Sequence, residues 1–389
     1  MTIVRSFEDA PAGARGWLAY DGDARPLAVG GCRVQRGLTA ELLEALAARM
    51  TLKERMLGLN VDGAKCGLDY DPAAPGKAAA IRGFLAFLRD ELSTRLSLGC
   101  DMGTQWHELE QLAVLEGIPS IKYAIRSAQG LSDGDFFHRL GLLDERIGAL
   151  TLAERRAGHA LACAAVSAAR ARSGAADGVR CALQGFGNLG RGAAQSLADH
   201  GVVLVAVADE HGCAADPDGL DVERLLAAPY GTPVVAAATA LPREALAELP
   251  CDLLVLAATE NAVPAEQAAR IQAPAVVVGA NCGLTEEAEE TLRARGILVV
   301  PDFVGGIGGS ASMEALFGSV RPPASAAAVL ERTSHLVREL VDDLIETARR
   351  EDASVRSVAL ELAASRAETN GERPYGSCPY LAATAAVGA

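Results

Sequence analysis

The chain has 389 residues, a formal net charge of −14 and a hydrophobic fraction of 50%. Because one hydrophobic core seldom organises a chain of this length, we expect two domains. The acidic balance argues against a nucleic-acid partner, since phosphate binding needs clustered Lys and Arg. Apolar runs stay short of the roughly 18 residues that a membrane span requires, which argues against a membrane partner and leaves small-molecule chemistry.

Patterns in the sequence predict the cellular compartment of the protein and whether it binds a metal. The first twenty residues lack a basic segment followed by an apolar stretch, so a cytoplasmic location is expected. The nine cysteines form neither a C-x-x-C pair nor a zinc-ligand spacing, which predicts reduced thiols and no metal site. Lysine is scarce in this arginine-rich chain and occurs only as Lys53, Lys65, Lys77 and Lys122. Such lysines are candidates for roles that need a compact amine with a tunable pKa.

The first part of the chain alternates helices with strands. Helical spacing of apolar residues predicts a helix over 39–59 that begins at a Thr39 cap and carries Lys53. A glycine-punctuated short strand and loop over 60–72 and a helix over about 75–93 follow. A strand over 96–101 then ends in Asp101, and Thr104 is predicted to cap the next helix. This alternation is typical of an α/β domain.

A different rhythm begins beyond about residue 150. A long alanine-rich helix over 151–173 precedes five short apolar runs, at 179–184, 202–209, 252–258, 275–280 and 297–301. Runs of this kind are expected for strands covered on both faces of a parallel sheet, as in a doubly wound nucleotide-binding domain. Residues 326–364 have helical patterns without strands. The predicted fold is therefore α/β with two domains, the second a Rossmann domain, and with C-terminal helices.

A glycine motif marks the cofactor site. Gly185, Phe186, Gly187, Asn188, Leu189 and Gly190 match G-x-G-x-x-G between a predicted strand and a predicted helix. Glycine there permits a tight turn and a close approach to a pyrophosphate, whose charge the helix N-terminus attracts. Asp209 and Glu210, at the end of the next strand, would accept hydrogen bonds from ribose hydroxyls and repel a 2′-phosphate. NAD is therefore favoured over NADP.

Several segments together resemble one enzyme family. They are Gly30-Gly-Cys-Arg33, Met50-Thr-Leu-Lys53, Asp62-Gly-Ala-Lys-Cys-Gly67, Gly99-Cys-Asp101, the glycine motif, Gly279-Ala-Asn281 and Val300-Pro-Asp302. In order and spacing they resemble the motifs of the glutamate/leucine/phenylalanine/valine dehydrogenase family over about residues 25–320. The resemblance implies an NAD-dependent amino acid dehydrogenase, which reversibly converts an L-α-amino acid to its 2-oxo acid and ammonia by hydride transfer.

The resemblance also implies roles for individual residues. Lys53 would bind the substrate carboxylate with backbone amides near Gly30 and Gly31, Lys65 would activate water, and Asp101 would move the proton on the amine. A neighbouring ammonium such as that of Lys53 would lower the pKa of Lys65 toward the neutral range. Ala258 and Asn281 would join the glycine motif at the cofactor.

The family resemblance further predicts three segments and an assembly. Residues 1–130 would form a substrate-binding and oligomerisation domain, and 131–325 the NAD-binding Rossmann domain. Residues 326–389 would supply C-terminal helices that return toward the substrate domain. A homo-oligomer is expected, because oligomers are usual among relatives.

Departures from the family bear on the substrate. Val29 stands where glutamate-specific members carry a lysine for the distal carboxylate, and Met313 stands where they carry a serine. Burying a distal carboxylate against these residues without a cation would be costly, so an apolar substrate side chain is favoured. Small Ser310 points to a roomy pocket. Further departures fall at Asp62, Cys66, Ala157 and Gly306.

Two alternatives remain open. The first is a glutamate dehydrogenase that binds its substrate through other residues. The second is a catalytically silent dinucleotide-binding regulatory protein, which the altered lysine loop and the replaced asparagine at position 306 support. The presence of Lys53, Lys65 and Asp101 argues against silence.

Overall fold

The computed structural model describes residues 2–9, 13–259, 263–367 and 372–381. The chain divides into two compact units. The first unit contains Met1–Leu140, Phe317–Pro322 and Leu362–Pro379, and the second contains Gly141–Leu316, Pro323–Glu361 and Tyr380–Ala389. Among the helices that the structure describes, none combines the length and the apolar character that a bilayer crossing demands.

The first unit is built on a mixed sheet. Its strands are β1 (Thr2–Asp9), β2 (Ala14–Asp21), β3 (Leu27–Gln35), β4 (Val61–Asp69) and β5 (Leu96–Cys100). They lie in the order β1-β2-β4-β3-β5, with β3 parallel to both β4 and β5. The sequence patterns did not predict β1, β2 or β3. The first of these is an edge strand whose residues are largely exposed, so it lacks the alternation of a half-buried strand.

Helices cover this sheet. They are α1 (Ala40–Met56), α2 (Lys77–Phe87), α3 (Arg89–Thr94), α4 (Trp106–Leu115), α5 (Ala124–Gln129) and α6 (Asp133–Gly141). The predicted cap of α1 is confirmed, because the Thr39 hydroxyl accepts a hydrogen bond from the Leu42 amide at 3.3 Å. The helix predicted over 75–93 is wrong in one respect, since it breaks at Leu88 into α2 and α3.

Glycine lets α1 lie directly on β4. A Cβ built on Gly63 would stand 2.1 Å from the Ala47 carbonyl oxygen and 2.6 Å from Thr51 Oγ1. On the opposite face, a Cβ on Gly16 of β2 would stand 3.2 Å from the ring of Phe84 in α2. Because successive side chains of a strand point to opposite faces, Lys65 shares the face of Gly63 and points to the α1 side of the sheet.

The second unit holds the larger sheet. Its strands are β6 (Arg146–Ile147), β7 (Leu150–Thr151), β8 (Arg180–Gln184), β9 (Val203–Asp209), β10 (Gly212–Ala215), β11 (Thr239–Leu241), β12 (Leu253–Leu256), β13 (Ala275–Val278) and β14 (Leu298–Val300). The larger sheet has the order β11-β10-β9-β8-β12-β13-β14, while β6 pairs with β7 in a separate small sheet. The five strands predicted from apolar runs correspond to β8, β9, β12, β13 and β14, which pair in parallel. Strand order reverses between β8 and β12, which is where doubly wound folds bind their ligands.

Helices connect these strands and follow them along the chain. They are α7 (Leu152–Ser173), α8 (Asn188–Asp199), α9 (Val222–Ala227), α10 (Ala265–Ala268), α11 (Glu286–Ala294), α12 (Asp302–Gly305), α13 (Gly308–Phe317), α14 (Ala326–Arg350) and α15 (Val355–Ser365). Thr151 and Glu154 form a capping box at the start of α7. Strand residues such as Ala206, Leu254 and Val276 form a buried core with residues of the flanking helices. The predicted fold class, α/β with a Rossmann sheet, is confirmed.

Candidate active site

Lys65 and Asp101 meet above a glycine. Lys65 Nζ lies 2.6 Å from Asp101 Oδ2. The two residues come from β4 and from the end of β5, on either side of β3. A Cβ on Gly31 of β3 would stand 3.1 Å from Asp101 Cβ and 3.2 Å from Lys65 Nζ. The ion pair therefore forms across a position that must lack a side chain.

A second cation reaches the same carboxylate. Arg33 Nε donates a hydrogen bond to Asp101 Oδ2 at 3.0 Å, and Arg33 is only 1% exposed. Burial alone would raise the pKa of Asp101, but the charges of Lys65 and Arg33 outweigh it and hold that pKa well below its ordinary value. Asp101 is therefore an ionised acceptor at neutral pH.

Thr104 fixes the backbone of Asp101. Its hydroxyl oxygen accepts a hydrogen bond from the Asp101 amide at 3.0 Å and lies 2.8 Å from the Cys32 carbonyl oxygen, to which it donates. The prediction that Thr104 caps the next helix is wrong, because Gln105 is the N-cap of α4 and forms a capping box with Glu108. Thr104 instead joins the end of β5 to β3.

The two unusual neighbours of Lys65 point away from it. Asp62 and Cys66 occupy alternate positions of β4 and share the opposite face of the sheet. Arg95 Nη2 donates to Asp62 Oδ2 at 2.9 Å, so that carboxylate serves a separate ion pair. Burial, and then a hydrogen bond with Cys32, raise the pKa of the Cys66 thiol well above its ordinary value.

Lys53 and Val29 complete the predicted residues of the first unit. Lys53 lies in the last turn of α1 and is 5% exposed. Two residues earlier, Thr51 Oγ1 accepts a hydrogen bond from the Gly63 amide at 3.1 Å, which ties this part of α1 to β4. Val29 is buried and lies on the face of β3 that also carries Gly31 and Arg33.

The glycine motif lies where the strand order of the second sheet reverses. Gly185 has φ +95°, and a Cβ there would stand 2.6 Å from the Ala257 carbonyl oxygen and 2.8 Å from the Ala258 amide nitrogen. A Cβ on Gly190 would stand 1.9 Å from the Gly185 carbonyl oxygen. Gly187 is the N-cap of α8 and supplies no capping side chain. The first amides of α8 thus form a cradle that fits a pyrophosphate.

Asp209 closes a turn as well as ending β9. Its carboxylate accepts hydrogen bonds from the amides of His211 at 2.8 Å, Gly212 at 3.2 Å and Val234 at 2.8 Å. These bonds fix the orientation of the side chain. Glu210 beside it is exposed.

Asp302 supports the turn that carries Asn281. Asp302 Oδ2 accepts a hydrogen bond from the Cys282 amide at 2.9 Å, and Cys282 has φ +52°, which is uncommon for a residue other than glycine. Arg356 Nη2 lies 3.4 Å from Asp302 Oδ1 and 2.6 Å from Glu289 Oε2. A buried carboxylate and its cation therefore hold this turn in place.

Ser310 and Met313 lie on α13 of the second unit, and both are buried. Arg156 of α7 donates to the Gly309 carbonyl oxygen at 3.2 Å and to Ser312 Oγ at 2.8 Å. A Cβ on Gly308 would stand 2.8 Å from the Ala157 carbonyl oxygen. Close packing on α7 therefore sets the position of α13.

Family models match both parts of the chain. The model described as Glutamate/Leucine/Phenylalanine/Valine dehydrogenase matches residues 150–372, which is more than half of the chain. The model described as Glu/Leu/Phe/Val dehydrogenase, dimerisation domain, matches residues 7–113. The chain belongs to the Glu/Leu/Phe/Val dehydrogenase family.

Individual relatives agree with this membership. Glutamate dehydrogenase B of Halobacterium salinarum is 31% identical, over 76% of this chain and 67% of the relative. The NAD-specific glutamate dehydrogenase of Staphylococcus aureus is 28% identical, over 76% and 70%. The crystal structure of hetero-hexameric glutamate dehydrogenase from Thermus thermophilus, in a Leu-bound form, has a TM-score of 0.75 at 28% identity and covers 95% of this chain and 89% of that one.

Membership of the Glu/Leu/Phe/Val dehydrogenase family confirms the predicted enzyme class, an amino acid dehydrogenase of the oxidoreductases. The Staphylococcus aureus relative is named as NAD-specific, in agreement with the cofactor predicted from the sequence. Two residues that the structure places in supporting positions had no predicted role. Arg33 and Asp302 each stand inside a quoted motif, but their partners come from other strands or loops. One signal in the sequence could have identified both residues, because each is a charged residue within an otherwise buried strand or just after one.

Proposed function

We propose that this member of the Glu/Leu/Phe/Val dehydrogenase family interconverts an L-α-amino acid with its 2-oxo acid and ammonia, and that it favours an apolar side chain. The observation that carries the reaction is the buried ion pair of Lys65 with Asp101 above Gly31. It places an amine and a carboxylate side by side, as deamination requires, since water must be activated and a proton must leave the substrate amine.

The ion pair suggests a separate role in the reaction for each of its two residues. The ionised carboxylate of Asp101 would accept a hydrogen bond from the substrate amine, while the ammonium of Lys65 would polarise the carbonyl oxygen. Asp101 is a weak base as long as both cations face it, so it would gain basicity when Lys65 releases its proton to solvent or substrate. Arg33 would keep the carboxylate oriented throughout.

Substrate and cofactor binding complete the proposal. Lys53 would pair with the substrate carboxylate, together with backbone amides near Gly30 and Gly31. NAD, when bound, accepts the hydride from the substrate Cα. Its pyrophosphate would lie on the glycine motif, which fits because a side chain at Gly187 would fill the cradle. Asp209 and Glu210 would hold the ribose, and Ala258 and Asn281 would contact the rest of the cofactor.

The side-chain preference is supported by Val29. It shares the face of β3 with Gly31, and it offers a substrate an aliphatic surface rather than a cation. Ser310 and Met313, which lie on α13 of the second unit, remain proposed as substrate-binding residues. A distal carboxylate against such residues would lose its solvation without a compensating charge.

Glutamate is the second candidate, and the comparisons weigh toward it. The relatives described above are all named glutamate dehydrogenases, at 28–31% identity. Their names therefore favour glutamate, whereas the residue at position 29 favours an apolar side chain.

A substrate panel decides between these candidates. NADH oxidation would be followed by absorbance with ammonia and a series of aliphatic, aromatic and acidic 2-oxo acids. Turnover with apolar 2-oxo acids supports the proposal, and turnover restricted to 2-oxoglutarate rejects the apolar preference in favour of glutamate. Binding of NADH without turnover of any 2-oxo acid would instead support a catalytically silent protein.

A substitution at position 29 sharpens the same test. Val29→Lys should raise activity toward 2-oxoglutarate, because it supplies the missing cation, while Val29→Met controls for the change of volume. An equal response of the two variants toward 2-oxoglutarate would remove Val29 from the pocket.

We also propose a homo-oligomer. The matched model of residues 7–113 is described as a dimerisation domain, and the Thermus thermophilus relative is named as a hetero-hexamer. Light scattering after size exclusion measures the subunit number, and a monomer at micromolar concentration would reject the proposal.

A further inference from the structure

A short segment of the second unit connects two parts of the cofactor motif. We define it as the strap, Pro229–Val234, which follows α9 and leads into a 3₁₀ turn over Val234–Ala236. The Thr232 amide donates to the Pro229 carbonyl oxygen at 3.1 Å, and Gly231 has φ +82°. A four-residue turn with a positive φ at its third position resembles type II, so Tyr230 occupies the second position. The turn leaves Tyr230 56% exposed.

One end of the strap lies over the glycine motif. The Tyr230 hydroxyl oxygen is 3.4 Å from the point where a Cβ on Gly187 would stand. Gly187 is the N-cap of α8, and the amides that follow it form the cradle for the pyrophosphate. A phenol hydroxyl can donate one hydrogen bond, and a phosphate oxygen is a strong acceptor. The hydroxyl therefore lies beside the place where the fold binds negative charge.

The other end of the strap is bonded to the ribose acceptor. The Val234 amide donates to Asp209 Oδ2 at 2.8 Å. Just before the strap, Arg191 Nη2 donates to the Leu226 carbonyl oxygen at 2.6 Å, while the same guanidinium lies over the Phe186 ring at 5.5 Å. These contacts hold the strap to β9 and hold α9, which precedes the strap, to α8, so the position of the strap is set by the two elements proposed to bind the dinucleotide.

We propose that the strap is a further cofactor-binding element and that the Tyr230 hydroxyl donates a hydrogen bond to the NAD pyrophosphate. This inference rests on the NAD cofactor and not on the choice of amino acid. It adds a side chain to a site whose motif residues offer the pyrophosphate mainly backbone amides. No residue of the sequence motif points to Tyr230, because the strap lies about 40 residues beyond the glycines and is brought back by the crossover.

Equilibrium binding tests the proposal without any 2-oxo acid. The dissociation constant of NADH would be measured by fluorescence titration, and those of ADP-ribose and adenosine by competition against NADH. Tyr230→Phe removes the hydroxyl alone, and loss of one hydrogen bond to a charged acceptor weakens binding about tenfold or more. NADH and ADP-ribose should therefore bind about tenfold more weakly, whereas adenosine, which has no phosphate, should bind as tightly as to the parent chain.

Controls make the outcomes distinct. Tyr123→Phe removes a tyrosine hydroxyl that bonds Asp133 in the first unit, and it should leave all three constants unchanged. Unchanged binding of NADH and ADP-ribose to Tyr230→Phe would overturn the proposal, as would an equal loss for adenosine. Because these measurements need no turnover, a failed substrate panel would leave them valid and would bear only on the proposed reaction.

Discussion

The two units of this dehydrogenase prepare for their ligands in different ways. In the first unit, charged side chains meet, since Lys65 and Arg33 both contact Asp101. In the second, the glycine motif presents backbone amides at the start of α8. The contrast fits the proposed tasks, because proton transfer needs groups whose pKa can be tuned, whereas a pyrophosphate needs donors and space. The units share one device, a glycine that leaves room above a strand or a turn.

The largest effect is expected at the carboxylate. Asp101→Asn keeps the shape but removes the proton acceptor, so turnover should fall by about a thousandfold. NADH affinity should not change, because Asp101 lies in the first unit, whereas the glycine motif that would bind the cofactor lies in the second. Steady-state kinetics and NADH titration measure the two quantities. Asp71→Asn, which breaks an exposed ion pair with Arg36, serves as control, and an Asp101→Asn enzyme within tenfold of the parent would refute a catalytic role.

Neighbouring glycines of β3 should separate activity from stability. Gly31→Ala would press a methyl group against Lys65 Nζ and Asp101, so kcat should fall by about 10 to 100-fold while the protein folds. Gly30→Ala would place its Cβ 1.9 Å from the Ala64 backbone oxygen, so it should fold poorly. Thermal unfolding and kcat are measured on both. Full activity of Gly31→Ala would show that the ion pair does not need the open position.

The same comparison can be made in the glycine motif. Gly187→Ala meets only ordinary contact, with Tyr230 at 3.4 Å, whereas Gly190→Ala would stand 1.9 Å from the Gly185 carbonyl oxygen. Gly187→Ala should therefore keep its unfolding temperature but bind NADH about tenfold more weakly, since the methyl group enters the pyrophosphate cradle. Gly190→Ala should lose stability first. NADH affinity equal to that of the parent in Gly187→Ala would contradict this assignment of the cradle.

A further effect concerns acid stability, where the units should differ again. Burial, and then the charge of Arg155, lower the pKa of His159 from 6.5 to about 4. Below pH 6.5 the unfolded chain binds a proton that the folded chain refuses, so the free energy of unfolding should fall by roughly 3 kcal/mol between pH 6.5 and 4. The pKa of Asp101 is depressed below its ordinary 3.8, so its stabilisation is lost only at still lower pH.

Calorimetry at pH 7 and at about pH 4.5 tests the His159 window. His159→Gln should flatten the dependence, whereas His138→Gln, at an exposed site on α6, should not. An identical decline in His159→Gln and in the parent chain would place the titrating group elsewhere.

The sequence predicted the elements that carry strong local patterns. β8, β9, β12, β13 and β14 were predicted because each is a run of buried aliphatic residues. β10 and β11 were missed, since short segments containing Gly, Ala and Thr resemble loops.

Partners of site residues were harder to predict than the residues themselves. Lys65 and Asp101 follow from the family motifs, but the contact of Arg33 with Asp101 depends on how β3 pairs with β5. A single strand does not encode its register with another. Thr104 was misplaced for a related reason, because a hydroxyl before a helix can cap it or bond a neighbouring strand, and here the end of β5 is closer.

The pairing of Cys66 with Cys32 has a consequence for assembly of the first sheet. These buried thiols lie on the face of the sheet opposite to the face that carries Lys65. A slip of β4 by a single residue would turn Lys65 away from Asp101 and toward these buried thiols, where an unpaired charge costs several kcal/mol. The ion pair of Lys65 with Asp101 therefore also stabilises the observed register of β4 relative to β3.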